Sequence, residues 1–223
     1  MKFTKAIVAL VAATLSTTAK ADGPFSWTGL YLGGHAGYAR AVRSAELPAP
    51  FLPGSYSEDR NGYFGGALAG YNYQIGSWVL GAEIDATWAS LEPRQTVGVP
   101  ASTVQWHTYS SVDFIASARL RAGYAFNRWH VYGTGGAAWM QGSATLVVTD
   151  AGIETGRGSA STDHFGWVVG TGFEYAATGN ISLRFEYLHY DFSASDYNYV
   201  AVPASTSAAV TIDTIRAAAT YKF

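Results

Sequence analysis

The final stretch of the chain, residues 210–223 (VTIDTIRAAATYKF), alternates between an apolar side and a polar side. The apolar side carries Ile215, Ala217, Ala219, Tyr221 and Phe223, and the polar side carries Thr214, Arg216, Ala218, Thr220 and Lys222. A period of two with one apolar face indicates a β-strand. A last strand of this kind can pair with the first strand and close a sheet, which removes the free edges that lipid does not tolerate. The stretch therefore predicts a closed barrel.

Seven further stretches have strand patterns, and the segments that join the strands alternate between long and short. The predicted strands are residues 27–41, 61–75, 78–91, 109–126, 129–148, 164–176, 181–190 and 210–223. The short turns are residues 76–77, 127–128 and 178–180, and the long connections are residues 42–60, 92–107, 149–163 and 191–209. Short periplasmic turns and long external loops are typical of bacterial outer-membrane barrels. The sequence predicts an all-β fold, an eight-stranded antiparallel up-and-down transmembrane β-barrel with four longer extracellular loops.

The N-terminus has the features of a secretory signal peptide. Lys2 and Lys5 precede an apolar segment, residues 6–15, and Ala19-Lys20-Ala21 matches an A-x-A cleavage site. Cleavage after Ala21 is expected to remove residues 1–21 and leave one barrel domain, residues 22–223, in the cell outer membrane. The mature chain would keep 11 basic residues against 16 acidic ones, a net charge of −5, which predicts no nucleic-acid binding. The chain has no Cys, which excludes disulfides and thiol chemistry.

Two tryptophans give a length check on the membrane prediction. Trp78 and Trp88 lie ten residues apart on the same face of one predicted strand, which is roughly 33 Å of strand. A tilt of about 40° shortens this distance to roughly 25 Å, the height of a lipid-facing apolar band. The predicted membrane-interface aromatic residues are Trp78, Trp88, Tyr38, Tyr71 and Tyr124. Outer-membrane lipid and lipopolysaccharide are the expected surroundings.

The three tyrosines belong to a repeated Ala-Gly-Tyr sequence at residues 36–38, 69–71 and 122–124. A Gly that faces a crowded barrel interior beside an outward Tyr explains the repeat. The segments WTGLYLGGHAGYA and GGALAGYNYQIGSWVLGAEID and the aromatic C-terminus resemble the small outer-membrane immunogenic, porin-like β-barrel proteins of alphaproteobacteria, within the OmpA-like eight-stranded barrel superfamily. Tyr221 and Phe223 resemble the C-terminal assembly signal of that class, which implies the barrel assembly machinery as a partner during biogenesis. The resemblance also implies an abundant surface-exposed envelope protein, and some relatives are reported as haem binders or small porins.

Charged residues collect on the polar face of the predicted strands. They are Glu83, Asp85, Asp113, Arg119, Arg121, Glu174, Arg184, Glu186 and Arg216. All the basic members are Arg, whose planar guanidinium can bond two carboxylate oxygens at once. Because an eight-stranded barrel is only wide enough to be filled by its own side chains, we expect an interior ion-pair network that plugs the lumen. The alternative is a narrow selective pore with a charge gate.

The sequence offers no catalytic, cofactor or metal site. The five histidines, His35, His107, His130, His164 and His189, have no metal-type spacing, and solvated loop histidines are expected at His107 and His164. An outer-membrane hydrolase needs a Ser or Asp nucleophilic system with a His, but His107 with Ser110 and His189 with Asp191 are adjacent by chance as readily as by design. The glycine pairs do not follow a strand and open a helix, which excludes a phosphate loop. The chain is therefore not expected to be an enzyme.

Two function classes stay open on the sequence. One is a structural protein that braces the outer membrane and takes part in surface interaction and antigen display, with a monomer favoured. The other is a transport protein, either a narrow porin or a receptor for uptake of haem or another small ligand. A soluble lipocalin-like barrel is the rival fold, since alternation alone does not say which face is inside. The signal peptide, the Trp spacing and the terminal Phe223 favour the membrane barrel.

Overall fold

The computed structural model describes residues 25–47, 54–91, 94–98, 103–198 and 205–223. The predicted signal peptide, residues 1–21, lies outside the described residues. The described part contains nine β-strands: β1 (Gly29–Leu47), β2 (Gly54–Ile75), β3 (Trp78–Leu91), β4 (Arg94–Gly98), β5 (Val104–Phe126), β6 (Trp129–Asp150), β7 (Ile153–Ala176), β8 (Ile181–Asn198) and β9 (Ser205–Lys222). Within these ranges, no helix is long and apolar enough to cross a membrane.

Eight of the strands form a closed antiparallel ring. Each strand pairs with the next in the chain, β9 pairs with β1, and β3 pairs with β5, which completes the barrel. The short β4 lies outside the ring and pairs with the first residues of β5. The predicted eight-stranded up-and-down barrel is therefore confirmed, and closure gives every barrel strand a hydrogen-bonding partner on both sides within the ring.

The pair that closes the barrel is long. The β1–β9 register runs from Tyr31 opposite Lys222 to Glu46 opposite Ser207. The backbone N–H of Phe223 extends this pairing by donating to the carbonyl of Leu30 at 2.9 Å. The alternating last stretch of the sequence thus forms the strand that joins the two ends of the sheet.

The strands extend well beyond the predicted boundaries at the long-connection end of the barrel. The prediction that residues 149–163 form a long loop is wrong. In its place β6 and β7 form a hairpin that continues to Asp150 opposite Ile153. Its two-residue turn is Ala151-Gly152, with φ angles of 46° and 84°. Positive φ at both turn residues gives a turn whose twist matches that of the hairpin strands. Ala rarely adopts a positive φ, so this turn lacks the Asn-Gly or Asp-Gly pair that usually marks it in a sequence.

The outer and inner faces of the ring differ as the alternation predicted. Large apolar side chains point outward along each strand, including Leu120, which is 72% exposed, and Ile84, which is 61% exposed. Small, polar or charged residues alternate with them on the inner face near the middle of the barrel, and larger apolar residues such as Phe64 and Leu188 do so towards the long connections. This is the arrangement of a barrel with a lipid-facing exterior, the reverse of a lipocalin-like barrel.

The Ala-Gly-Tyr repeat has the physical cause inferred from the sequence. A Cβ atom on Gly70 would collide with the Tyr31 side chain, and one on Gly123 would collide with that of His130. A Cβ on Gly37 would overlap the Phe64 ring in the same way. Each glycine thus leaves room for an inward aromatic or imidazole ring of the adjacent strand, while the following Tyr points outward.

Candidate functional site: the interior charged layer

Eight charged side chains meet inside the barrel. Alternation places two inward charges on a strand when they are two residues apart, as on β3, β5 and β8. The eight are Glu83 and Asp85 on β3, Arg119 and Arg121 on β5, Glu174 on β7, Arg184 and Glu186 on β8, and Arg216 on β9. All are buried. Among the described residues, four guanidiniums thus face four carboxylates in this layer, and the formal charges balance.

Glu83 is the centre of the layer. Its carboxylate accepts hydrogen bonds from Arg184 at 2.5 Å, from Arg121 at 3.3 Å and from the Tyr31 hydroxyl at 2.8 Å. Arg119 also donates to it. These donors lie on β8, β5 and β1, so one buried carboxylate connects four strands of the ring. Several charge-assisted bonds to a single carboxylate are what a buried ion needs to offset its desolvation.

Glu174 forms the part of the layer closest to the short turns. It accepts hydrogen bonds from Arg121 at 2.9 Å and from Arg184 at 3.2 Å. The Arg121 guanidinium also lies over the Tyr132 ring, 4.0 Å from its centroid. Such stacking suits the planar Arg side chain and would not suit the compact ammonium of Lys. The absence of inward Lys from the described part of this layer follows from that geometry.

Arg216 organises the opposite part of the layer. Its Nε donates to Glu186 at 2.7 Å, and its Nη1 lies 3.3 Å from Asp85 and 3.1 Å from His35 Nδ1. Glu186 also accepts a hydrogen bond from the Tyr132 hydroxyl at 2.7 Å. The sequence reading missed the supporting residues His35, Tyr31 and Tyr132. The available signal was that these residues share the inward side of β1 and β6, two strands that contribute no charge to this layer.

Asp113, the ninth predicted member, does not belong to the layer. It lies at a β-bulge where the β5–β6 register shifts between Val112 and Phe114. The extra residue reverses the parity of β5, so that Val112 is buried and Asp113 is exposed on the outer face. Its carboxylate accepts hydrogen bonds from Ser111 at 2.8 Å and Ser143 at 2.7 Å. The prediction for Asp113 was wrong because simple alternation was carried across the bulge.

An apolar layer fills the lumen on the long-connection side of the charges. Its buried residues come from seven strands, with Ala89 packed against them: Ala39, Ala41, Phe64, Val112, Ile115, Ala138, Met140, Val168, Leu188, Tyr190, Phe192, Val210 and Ile212. A cavity between Phe64, Tyr190 and Ile212 has room for no more than about one water molecule. The sequence did not predict this layer, because some of its residues fall in predicted loops and others were predicted to face outward. The lumen is therefore closed by apolar packing as well as by ion pairs.

The histidines are more buried than predicted. His164 is fully buried, with Nδ1 3.4 Å from the Ser193 carbonyl oxygen, so the expectation of a solvated loop residue was wrong there. His107 lies in β5, half-buried, with Nε2 3.3 Å from the Thr149 hydroxyl. His189 faces outward, with Nδ1 2.8 Å from Asp213. The described residues contain no group of three or more His, Cys, Asp or Glu that could hold a metal ion.

The five predicted interface aromatics all point outward. Trp78 and Trp88 lie at opposite ends of β3 and are 62% and 58% exposed. Trp78 makes an edge contact with Tyr124 at 5.7 Å between centroids, and Trp88 makes one with Phe114 at 5.5 Å. Tyr38 and Tyr71 are also exposed on this face. The outward aromatic residues thus stand near both ends of the apolar band.

Comparison with known proteins identifies the relatives of this chain. Residues 7–223 match the family described as "Outer membrane protein beta-barrel domain". The chain belongs to this family. It is 34% identical to the 31 kDa outer-membrane immunogenic protein of Brucella melitensis, over 92% of this chain and 88% of that protein. It is 31% identical to the 22 kDa outer membrane protein of Rhizobium leguminosarum bv. viciae, over 78% and 68% of the two chains.

In structure, the chain is similar to the outer membrane protein OprG from Pseudomonas aeruginosa, with a TM-score of 0.45, 14% identity and coverage of 88% and 96%. The predicted family and the outer-membrane location are confirmed by the family match and the relatives. The apolar exterior of the barrel therefore contacts membrane lipid. Because short turns face the periplasm in barrels of this class, the short turns of this chain are expected to lie on the periplasmic side.

Proposed function

We propose that this protein is a non-conducting outer-membrane barrel that braces the envelope and presents its long hairpins at the cell surface. The observation that carries the proposal is the layer in which Glu83 contacts Arg184 across the lumen at 2.5 Å. Each buried ion in this network relies on its partners to offset the free-energy cost of its desolvation. Separating the ions to open a pore is therefore unfavourable. The apolar layer on its outer side adds a second barrier to water and ions.

At the cell surface, the proposed role of the protein is surface interaction and antigen display. The relatives named immunogenic outer-membrane proteins support it, as do the β6–β7 hairpin and its exposed residues at 151–157. The proposed surroundings are outer-membrane lipid and lipopolysaccharide, and the assembly machinery of the outer membrane inserts the barrel as a monomer. No enzymatic activity is proposed, because the buried carboxylates and arginines of the charged layer form one ion-pair network that the apolar layer separates from the outside.

Conductance of the purified, refolded protein in a planar bilayer tests the proposal. The wild type is expected to give rare, small current steps, since eight strands leave little room beyond the side chains. Arg184→Ala should make such steps more frequent, because it removes a buried cation that both Glu83 and Glu174 contact and so loosens the layer. Arg157→Ala removes an arginine from an exposed hairpin pair and should leave the current unchanged. A large, steady current through the wild type would overturn the proposal and favour the narrow porin or small-ligand uptake receptor.

A further inference from the structure

The residues just before β1 cross the periplasmic mouth of the barrel. Residue 27 was predicted to lie in the first strand, but the strand begins at Gly29. The φ of Gly29 is 144°, a conformation that residues with a Cβ rarely adopt, and the chain turns inward there. Trp27 consequently points into the lumen and is 3% exposed. The segment of residues 25–28 is called the strap below.

Two hydrogen bonds attach the strap to the rim of the barrel. The backbone N–H of Trp27 donates to Gln74 Oε1 at 2.8 Å, and the backbone N–H of Gln74 donates to the Thr28 hydroxyl at 2.9 Å. In this reciprocal pair, the side-chain oxygens of Gln74 and Thr28 accept the hydrogen bonds that backbone carbonyls accept in a strand ladder. It fixes the strap against the end of β2.

The last strand also contacts the strap. The Lys222 ammonium donates to the Ser26 carbonyl and lies 4.3 Å from the centroid of the Phe25 ring. The Phe25 ring in turn packs edge-on against Trp27, with 4.8 Å between centroids. The strap therefore bridges the two strands on either side of β1.

Trp27 occupies a small chamber below the charged layer. Val79, Ala125 and Ala176 form its apolar wall. The Trp27 ring lies 5.2 Å from the ring of His130, which is fully buried. Neither ring nitrogen of His130 nor the indole N–H of Trp27 has a hydrogen-bond partner among the described residues. Shape and apolar packing, rather than a specific hydrogen bond, hold the indole in place.

The chamber is connected to the charged layer by stacked groups. His130 stacks on Tyr132 with 5.0 Å between centroids, and Tyr132 carries the Arg121 guanidinium on its ring. A column of Trp27, His130, Tyr132 and Arg121 thus runs from the periplasmic mouth to the ion pairs.

We propose that the chamber is a binding site for an aromatic ring of the indole class, and that Trp27 occupies it in cis as a periplasmic lid. The strap can leave without breaking a strand pair of the barrel, because residues 25–28 precede β1. Its departure opens the lower lumen to periplasmic solutes as far as Arg121. A free planar ring of similar size can take the place of Trp27, since the site makes no demand on the indole N–H.

Accessibility of a cysteine in the chamber tests the proposal. Ala125→Cys places a thiol on the chamber wall, and the chain has no other Cys. In refolded protein, a water-soluble maleimide should label this thiol slowly when Trp27 is present. Trp27→Ala should accelerate labelling by about tenfold or more, because labelling follows the population of the open form. Millimolar indole should slow the labelling of the Trp27→Ala protein again.

The matched control is Trp129→Ala, which removes a tryptophan from the outer face near the same end of the barrel. It should leave the labelling rate unchanged. Equal labelling with and without Trp27, or no effect of indole, would overturn the lid. If Trp27→Ala lacks the heat-shifted gel mobility of a folded barrel, Gln74→Ala provides the second variant, and it should accelerate labelling by releasing the strap.

Conductance distinguishes this inference from the proposed function. Trp27→Ala leaves the contact between Glu83 and Arg184 in place, so its current in a planar bilayer should equal that of the wild type. A steady current through that variant would count against the sealing role of the charged layer. The labelling rate of the Ala125→Cys thiol would still report, independently of the current, whether Trp27 closes the chamber.

Discussion

Arg184 Nη1 lies 2.5 Å from Glu83 Oε2, although β8 and β3 stand on opposite sides of the ring. Three strands lie between them in either direction around the barrel, so the pair spans the lumen at its full width. Backbone pairing connects neighbouring strands only, whereas this contact joins strands that never touch. The charged layer is therefore a cross-brace, and its loss should weaken the barrel as a whole.

Arg184→Ala is expected to destabilise the folded barrel by about 3–5 kcal/mol, because it removes a buried arginine that both Glu83 and Glu174 use to offset their desolvation. Unfolding by urea in lipid vesicles measures the change. Arg157→Ala is the matched control, since it removes the same side chain from an exposed ion pair with Glu154, and the unfolding midpoint should not move. Equal midpoints for Arg184→Ala and the wild type would show that the cross-brace contributes nothing.

The double variant Glu83→Leu with Arg184→Met separates pairing from packing. Replacement of both partners by apolar residues of similar volume is often neutral or stabilising, whereas removal of one partner is not. Arg119, Arg121 and Arg216 also contact Glu83, so the double variant should recover only part of the loss. Full recovery would mean that these three arginines do not depend on Glu83 for stability.

Alternation in the sequence was enough to predict the ring of eight strands and most of the charged layer. Inward parity is fixed along a regular strand, so Glu83 and Asp85 on β3 and Arg184 and Glu186 on β8 could be assigned together. The contacts across the lumen could not be predicted in this way. They depend on strand tilt and register around the whole ring, which no local pattern contains.

Three local features account for the main errors. The bulge at Asp113 inserts one residue and reverses the faces of β5 beyond it, and no Gly marks the position. The β6–β7 hairpin was read as a loop because its Ser, Thr and Gly residues hide the alternation and its turn uses Ala151. Trp27 was assigned to a strand because the positive φ of Gly29 has no unique sequence signal. In each case the backbone departs from a regular strand.

Leu120→Arg tests the orientation of the outer face. Leu120 lies midway between Phe114 and Phe126 on β5, near the centre of the apolar band. An Arg at the bilayer midplane should cost about 2–4 kcal/mol in unfolding experiments in lipid, and one near the interface about 0–1 kcal/mol. Gln141→Arg, on the outer face just beyond Trp139, is the control near the interface. Equal costs would contradict the depth assigned to these two positions.

Glu154 is predicted to titrate below its ordinary range. The hydrogen bonds from Arg157, at 2.9 and 3.0 Å, lower the pKa of the Glu154 carboxyl. A lowered pKa means that the pair contributes fully above the ordinary carboxyl pKa, and that this contribution is lost as pH falls through the lowered value. Carboxyl carbon NMR should give a midpoint below that of Arg157→Gln protein. The same midpoint in both proteins would show that the pair does not form in solution.

Cysteine labelling on intact cells tests which end of the barrel is outside. Ser159→Cys lies on the exposed face of β7 in the long hairpin, and Ser77→Cys lies in the short β2–β3 turn. A membrane-impermeant maleimide should label the first position and not the second, because short turns of this class face the periplasm. Labelling of both after disruption of the outer membrane is the control. The reverse pattern on intact cells would invert the barrel.

Phe223 is expected to matter for assembly more than for the stability of the finished barrel. Its side chain is 68% exposed and its ring makes an edge contact with Tyr221 at 5.2 Å, so it fills no core position. The backbone N–H that bonds Leu30 is retained in any substitution except Pro. Phe223→Asp should therefore lower the amount of folded protein in the outer membrane and leave precursor in the periplasm. Phe126→Asp, another exposed Phe near the same end, is the control for a general effect of charge. Heat-shifted gel mobility measures folded yield in cells, and urea unfolding of refolded protein measures stability. A large loss of stability with normal yield in cells would show that Phe223 acts through packing and not as an assembly signal.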